Sequence, residues 1–348
     1  MRAMILERTV ELGEGSTPLR LVDLPAPEPA SHEIRIRVSV CGVCHTELDE
    51  IEGRAPPRTF PVVPGHEIVG CVDRLGAGAV RHAIGERVGV GWIHHSSGGA
   101  DENISSAFTA TGRDANGGYA DYMTVHENYA YPIPQIFSDA EAAPLLCAGG
   151  VGFRALRLTG LVDGQSLGLT GFGGSAHLVL QLVKHLYPDS GLFVFARGRR
   201  AQQFARELGA DWAGSIEDRS PELLDAIIDT TPAWRPVLEA LANLKPGGRL
   251  VINAIRKEDR DKHVMATIGY AKHLWLEKEL KTVANVTGRD LAEFLPLAAE
   301  IPLRPEVQLY PLEQANEALV QLKHGEVRGK KVLAIEHSAG VGAAQVNS

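Results

Sequence analysis

The sequence predicts an α/β protein in which a mostly β region precedes a doubly wound parallel sheet. Two observations carry that expectation. Residues 1 to about 148 are rich in Gly, Pro and Val and hold short strand-like runs broken by turn residues. From about 165 to 286, apolar runs of strand length alternate with segments of helical period. Such alternation implies right-handed crossovers and a parallel sheet with helices on both faces.

Taken in order, EIRIRVSV, HEIVGCVDRL and YADYMTV read as strands of the first region. SLGLTGF opens the alternating region as a strand, and SAHLVLQLVKHL follows as a helix. GLFVFAR is the next strand, and RAQQFAREL a helix closed by Gly209. AIIDTT is a strand, and WRPVLEALANL is a helix ended by Lys245-Pro246-Gly247-Gly248. RLVINAI and LKTVANV read as further strands. Beyond about 288, DLAEFLPLAAEI is a helix, and PLEQANEALVQLKHG carries Leu312, Ala315, Leu319 and Leu322 at helical spacing. KVLAIE is a last strand, and the small, polar tail is expected to be loose. No internal repeat is present.

Composition narrows the function. The 348 residues suit two domains. Apolar residues at 44% and charged residues at 22% form a globular balance rather than a disordered one. Lys+Arg 35 against Asp+Glu 43 leaves a net charge of −8, which argues against a nucleic-acid binder. No apolar run reaches the roughly 18–20 residues that span a bilayer. The start, MRAMILERTVELGEG, is interrupted by acids and does not read as a signal peptide. Four cysteines cannot staple a chain of this length, so they are expected to hold metal or fill core in a cytoplasmic protein.

Gly171-Phe172-Gly173-Gly174-Ser175-Ala176 follows a strand and opens a helix, the context that a G-x-G-x-x-[GA] dinucleotide loop requires. Gly171, Gly173, Gly174 and Ser175 are therefore candidate cofactor contacts in a Rossmann domain. Glycines there permit a tight turn and close approach to a pyrophosphate, and the helix N-terminus favours its charge. The second strand ends in Ala196-Arg197-Gly198-Arg199-Arg200, with no acid to bind ribose hydroxyls. Arg197 and Arg199 suit a 2′-phosphate instead, so NADP is expected to be preferred and NAD possible.

Three segments offer metal ligands: Gly42-Val43-Cys44-His45-Thr46-Glu47, Gly65-His66-Glu67 and Leu146-Cys147-Ala148-Gly149. With the glycine loop, Gly85-Glu86-Arg87-Val88 and Gly117-Gly118-Tyr119-Ala120, they resemble, in order, the zinc-dependent medium-chain alcohol dehydrogenase family. The resemblance runs from residue 1 to about 335. It implies a GroES-like catalytic domain built from 1–148 and 287–348, with a Rossmann domain at 149–286. It implies a catalytic zinc on Cys44, His66 and Cys147, a donor set that leaves a fourth position for water or alcohol. Zinc would act as a Lewis acid while hydride passes between the alcohol and a nicotinamide. Thr46 matches the hydroxyl that relays the alcohol proton, and His45 matches a pyrophosphate contact. Glu67 matches a neighbour that can approach the metal, and Glu47 stands where Asp is usual, placed to orient His66. Trp92 is expected to line the substrate pocket.

The sequence departs from that pattern in three places. Many members hold a structural zinc with four cysteines, but the matching stretch, residues 96–108, has none, so one zinc per chain and no structural zinc are expected. The loop 93–118 is accordingly expected to be mobile. Asp49 stands where many members have the histidine that ends the proton path, and a carboxylate there is a candidate general base. Lys330 replaces the late arginine near the pyrophosphate, with Arg328 close by in sequence. Cys41 completes a C-x-x-C with Cys44 but lies far from the βαβ unit, so a redox pair is not expected; Cys71 reads as core and His94-His95 as solvated. The reading is an NAD(P)-dependent alcohol dehydrogenase with a small-molecule substrate, no nucleic-acid or membrane partner, and a homodimeric or homotetrameric assembly. Its competitors are a zinc-free quinone or alkene reductase of the same superfamily and a non-catalytic NADPH-binding protein.

Overall fold

The structure is a computed structural model that describes residues 1–301, 303–325 and 329–337. Arg328 and the tail from 338 lie outside the described residues.

Two sheets organise the chain. The first has seven strands. Glu33–Val43 is its centre, flanked on one side by Lys330–Ala334 and Val307–Pro311. On the other side lie Ile68–Leu75, Arg87–Val90 and Ala130–Pro132, while Tyr122–His126 also pairs with the central strand. Alternation places Ile34, Ile36 and Val38 in the core and turns Arg35 and Arg37 outward. The chain leaves this sheet after residue 132 and returns to it only at 307.

Between these visits it builds six parallel strands. Their order is Trp212–Gly214, Gly191–Phe195, Ser166–Thr170, Leu224–Asp229, Leu244–Ile252 and Glu279–Thr282. Ser166–Thr170 is buried along its whole length, as expected for a parallel strand covered on both faces. The order reverses between Ser166–Thr170 and Leu224–Asp229, which creates the crevice where ligands of open α/β sheets bind. The stretch read as LKTVANV is a strand only over Glu279–Thr282, on the sheet edge and exposed at all four residues.

The helix Ala148–Thr159 joins the halves, packing against Ala176–Leu186 and Gly288–Glu300. A Cβ on Gly149 would stand 2.6 Å from the Phe294 ring, and one on Gly152 would stand 2.8 Å from Ser175 Oγ, so both positions need glycine. Phe153, Leu145, Leu146, Leu291 and Phe294 belong to one buried cluster that continues into Leu167, Leu169 and Val179 of the parallel-sheet region. Removing the Phe294 ring would cost about 3–5 kcal/mol.

Segment 93–118 holds a small sheet of Ile93–His95 with Thr109–Ala110 and a turn at Glu102–Ile104. Glu102 is buried and accepts from Tyr129 Oη at 3.0 Å and from the Gly288 N–H at 2.5 Å. Among the described residues, no helix is long and apolar enough to cross a membrane.

Candidate active site

The central strand Glu33–Val43 delivers Cys44 in extended conformation at the start of the helix His45–Ile51. Glu47, in that helix's first turn, turns back so that Oε2 accepts from the Cys44 N–H at 2.8 Å. Its Oε1 lies 2.5 Å from His66 Nδ1. One fully buried carboxylate thus fixes two of the expected ligands. Donation from Nδ1 to Glu47 leaves Nε2 to face the cluster. His66 and Glu67 lead into Ile68–Leu75, and Cys147 precedes the helix Ala148–Thr159. At Gly42 a Cβ would sit 1.9 Å from Glu67 Oε2, so only glycine admits that carboxylate beside the strand.

Ligand atoms of Cys44, His66, Glu67 and Cys147 lie within 4.8 Å of one another; among the described residues this is the one His/Cys/Asp/Glu group so arranged. The two Sγ atoms are 3.8 Å apart. A tetrahedral ion with bonds of about 2.3 Å to sulfur separates two thiolates by about 3.8 Å. Glu67 Oε2 is buried without a hydrogen-bond partner, an orphan acceptor aimed at the same group. The donor set and spacing therefore fit zinc.

Electrostatics favour ligation. A hydrogen bond from Cys147, together with Lys330 and His66, holds the Cys44 thiol well below its ordinary value despite burial. Burial opposes charge on His66, but Glu47 and Cys44 keep it well above the ordinary imidazole range. Burial pushes the Glu67 carboxyl up to about 7, with Lys330 pulling the other way. Lys330 Nζ lies 3.0 Å from Glu67 Oε1. Burial alone would depress Lys330, but Cys44, Glu67 and Cys147 raise it, so it stays charged.

Lys330 also lies along the glycine loop, since a Cβ on Gly174 would stand 3.4 Å from its Cε. Gly171 has φ +79°, and a Cβ there would strike Thr230 Oγ1 at 2.7 Å. Gly173 faces open space. Ser175 donates to the Ala148 carbonyl at 2.9 Å and accepts from Asn253 Nδ2 at 3.2 Å, leaving the N-terminus of Ala176–Leu186 without a side-chain cap. Arg197 and Arg199 are exposed beyond the second strand, and His45 is exposed at the start of its helix.

Thr46 is buried, with Oγ1 3.8 Å from Cys44 Sγ. Trp92 is half-buried, 6.4 Å from the His66 ring and 5.4 Å from Phe108 between centroids. Its Nε1 donates to Glu50 Oε1 at 3.4 Å. Burial and the charge of Glu47 push the Glu50 carboxyl well above its ordinary value. Asp49 is also buried, and its Oδ1 accepts from Arg54 Nε and Arg256 Nε, each at 2.5 Å. Cys41 is buried, Cys71 is half-buried, and His94 binds the Thr124 carbonyl at 3.1 Å away from the cluster. Glu50, Arg256 and Asn253 carried no signal in the sequence, since their partners lie far along the chain.

Comparison with known proteins agrees with this geometry. The family described as Alcohol dehydrogenase GroES-like domain matches residues 30–135, and that described as Zinc-binding dehydrogenase matches residues 175–333. A probable alcohol dehydrogenase of Mycobacterium tuberculosis is 39% identical over 329 residues, covering 91% of this chain and 93% of that protein. The solved cinnamyl alcohol dehydrogenase of Sorghum bicolor aligns with TM-score 0.80 at 25% identity, over 96% of this chain and 97% of its own. The Helicobacter pylori protein titled CAD, complexed with NADP(H), aligns with TM-score 0.80 at 21% identity, over 96% and 99%. The chain belongs to the zinc-type medium-chain dehydrogenase family of alcohol dehydrogenases.

Proposed function

We propose that the chain interconverts small alcohols and their aldehydes or ketones with NADP in preference to NAD, using a single zinc on Cys44, His66 and Cys147. The observation that carries this reading is the ligand group gathered within 4.8 Å and joined through Glu67 and Lys330 to the glycine loop. When bound, zinc supplies Lewis acidity to the substrate oxygen, and the dinucleotide accepts or returns the hydride. The protein's own residues do the rest. Cys44, His66 and Cys147 hold the metal, and Glu47 orients His66. Thr46 Oγ1 both donates and accepts, so it would take the alcohol proton while giving up its own. Glu67 would stand beside the metal, with Lys330 balancing its charge, and Lys330, His45, Gly171, Gly173, Gly174 and Ser175 would hold the pyrophosphate. Trp92, backed by Phe108, forms an aromatic wall that favours substrates with a planar apolar group. Residues 1–148 with the described residues of 287–348 form the catalytic domain, and 149–286 form the nucleotide domain.

A homodimer is favoured by the exposed edge strand Glu279–Thr282 and the neighbouring exposed Trp275, Leu276 and Leu280. Cysteines left unpaired suit a cytoplasmic setting. Arg197 and Arg199 would bind the 2′-phosphate. The test is a screen of alcohols and aldehydes with both dinucleotides. NADP is expected to give at least tenfold higher kcat/KM than NAD, and the pair Arg197→Ala, Arg199→Ala should remove most of that advantage. A tenfold preference for NAD would overturn the cofactor assignment.

A further inference from the structure

We infer that Arg256 is a positioning residue that ties the nucleotide-binding region to the helix carrying Thr46, and that Asp49 is its partner in this role. The inference rests on the alcohol dehydrogenase reading above, because it assigns a task toward the dinucleotide.

Arg256 lies in the segment 253–258, which follows the parallel strand Leu244–Ile252. That segment is fastened to the cofactor crevice at several points. Asn253 donates from its backbone to the Asp229 carbonyl at 2.7 Å and from Nδ2 to Ser175 Oγ at 3.2 Å. Lys257 Nζ pairs with the buried Asp229 carboxylate and donates to the carbonyls of Thr231 at 2.7 Å and Ala233 at 3.1 Å. Asp229 also accepts from Thr170 Oγ1 at 2.7 Å, across the point where the strand order reverses. Glu258 N–H closes the segment on the Pro232 carbonyl at 2.7 Å.

The next link crosses to the other sheet's region. Arg256 Nε reaches Asp49 Oδ1 at 2.5 Å, and Asp49 is one turn of helix from Thr46. The chain of charges continues from Asp49 to Arg54, from Arg54 to Glu52 at 2.6 Å and from Glu52 to Lys323 at 2.5 Å. Asp49 and Glu52 are buried among arginines and a lysine that are about one-third exposed. Hydrogen bonds between ionised groups at this distance are the strong ones. A shift of Ser175 or Asp229 on dinucleotide binding therefore reaches Thr46 through consecutive, tightly held contacts. The same bridge holds the cleft in one arrangement beforehand, so binding does not have to order it.

Asp49→Asn and Arg256→Gln separate this role from others. Arg256→Gln leaves Asp49 paired with Arg54, so no buried charge is stranded and the variant should fold. The readouts are the Kd of NADPH measured by fluorescence without any alcohol, the melting temperature, the zinc content and the pH–rate profile. Each single variant is expected to weaken NADPH binding about tenfold, the double variant no more than about twofold beyond the worse single, and Arg256→Lys to recover part of the loss. Zinc content and the shape of the pH profile should stay unchanged. Multiplicative losses, or a lowered melting temperature with unchanged Kd, would overturn the inference. So would a pH profile altered by Asp49→Asn but not by Arg256→Gln, which would make Asp49 the proton acceptor instead. A parent chain that binds neither dinucleotide would overturn the proposed function as well, whereas parent binding with unaffected variants would overturn the positioning role alone.

Discussion

Glu47→Gln tests the coupling between the first helix and the metal site. In the structure one carboxylate serves two donors, the Cys44 N–H at 2.8 Å and His66 Nδ1 at 2.5 Å. A glutamine of the same shape has one oxygen and one NH2 group, so it can satisfy only one of them. If the oxygen serves His66, the NH2 faces the Cys44 N–H, donor against donor; if it turns, His66 loses the partner that fixes its proton on Nδ1. Losing such an outer partner typically weakens metal affinity ten- to a hundredfold, about 1.4–2.7 kcal/mol. The donor left unpaired at a fully buried position adds a folding cost of about 1–3 kcal/mol. Competition against a chromophoric zinc chelator measures the first effect, and thermal unfolding with excess zinc measures the second. The expected result is a zinc Kd raised at least tenfold and a lower melting temperature, with Glu47→Asp intermediate. A zinc Kd within threefold of the parent, in a protein that folds normally, would show that His66 needs no such partner and would refute the reasoning.

Two further outcomes follow from the same geometry. With its folded value pushed up to about 7 from an ordinary 4.5, Glu67 holds a proton in the zinc-free folded chain that the unfolded chain releases, so stability falls as pH rises from about 4.5 toward 7, by at most about 3 kcal/mol. The raised His66 keeps its contribution up to its ordinary 6.5, while the raised Glu50 adds a fall of the same sign; Glu67→Gln should therefore reduce the slope between pH 4.5 and 6.5 in thermal melts without abolishing it, and an unchanged slope would contradict the assignment. Glu102→Ala should lower stability by about 2–4 kcal/mol while leaving zinc content unchanged, because it strands Tyr129 Oη and the Gly288 N–H, and loss of zinc in that variant would show that segment 93–118 supports the metal directly.

The four central parallel strands were legible because each holds an apolar run, and the glycine loop because it sits between one such strand and a helix; Trp212–Gly214 was too short to read, and the edge strand Glu279–Thr282 is polar. The helix Ala148–Thr159 was not, since Gly149, Gly150 and Gly152 look like loop residues. They are glycines because Phe294, Leu291 and Ser175 come too close for a Cβ. Ligand order along the chain pointed to Cys44, His66 and Cys147, which the structure brings together. Glu47 was expected to orient His66 and Asp49 to take a proton, but nothing in the sequence singled out Glu50 or showed that all three acids of helix His45–Ile51 would be buried. The partners of Asp49 and Glu50, Arg256 and Trp92, come from distant segments that only the folded chain brings together. Lys330 was read as a cofactor contact; its simultaneous pairing with Glu67 could not be inferred from spacing.

The central claim is that Cys44, His66 and Cys147 together hold one catalytic zinc, and metal analysis of purified chain alongside alcohol turnover tests it most directly. About one zinc per chain is expected, falling to near zero in Cys147→Ala with turnover lost, and chelation of the parent should abolish turnover that added zinc restores. Turnover indifferent to chelation, or zinc retained in full by Cys147→Ala, would contradict the account.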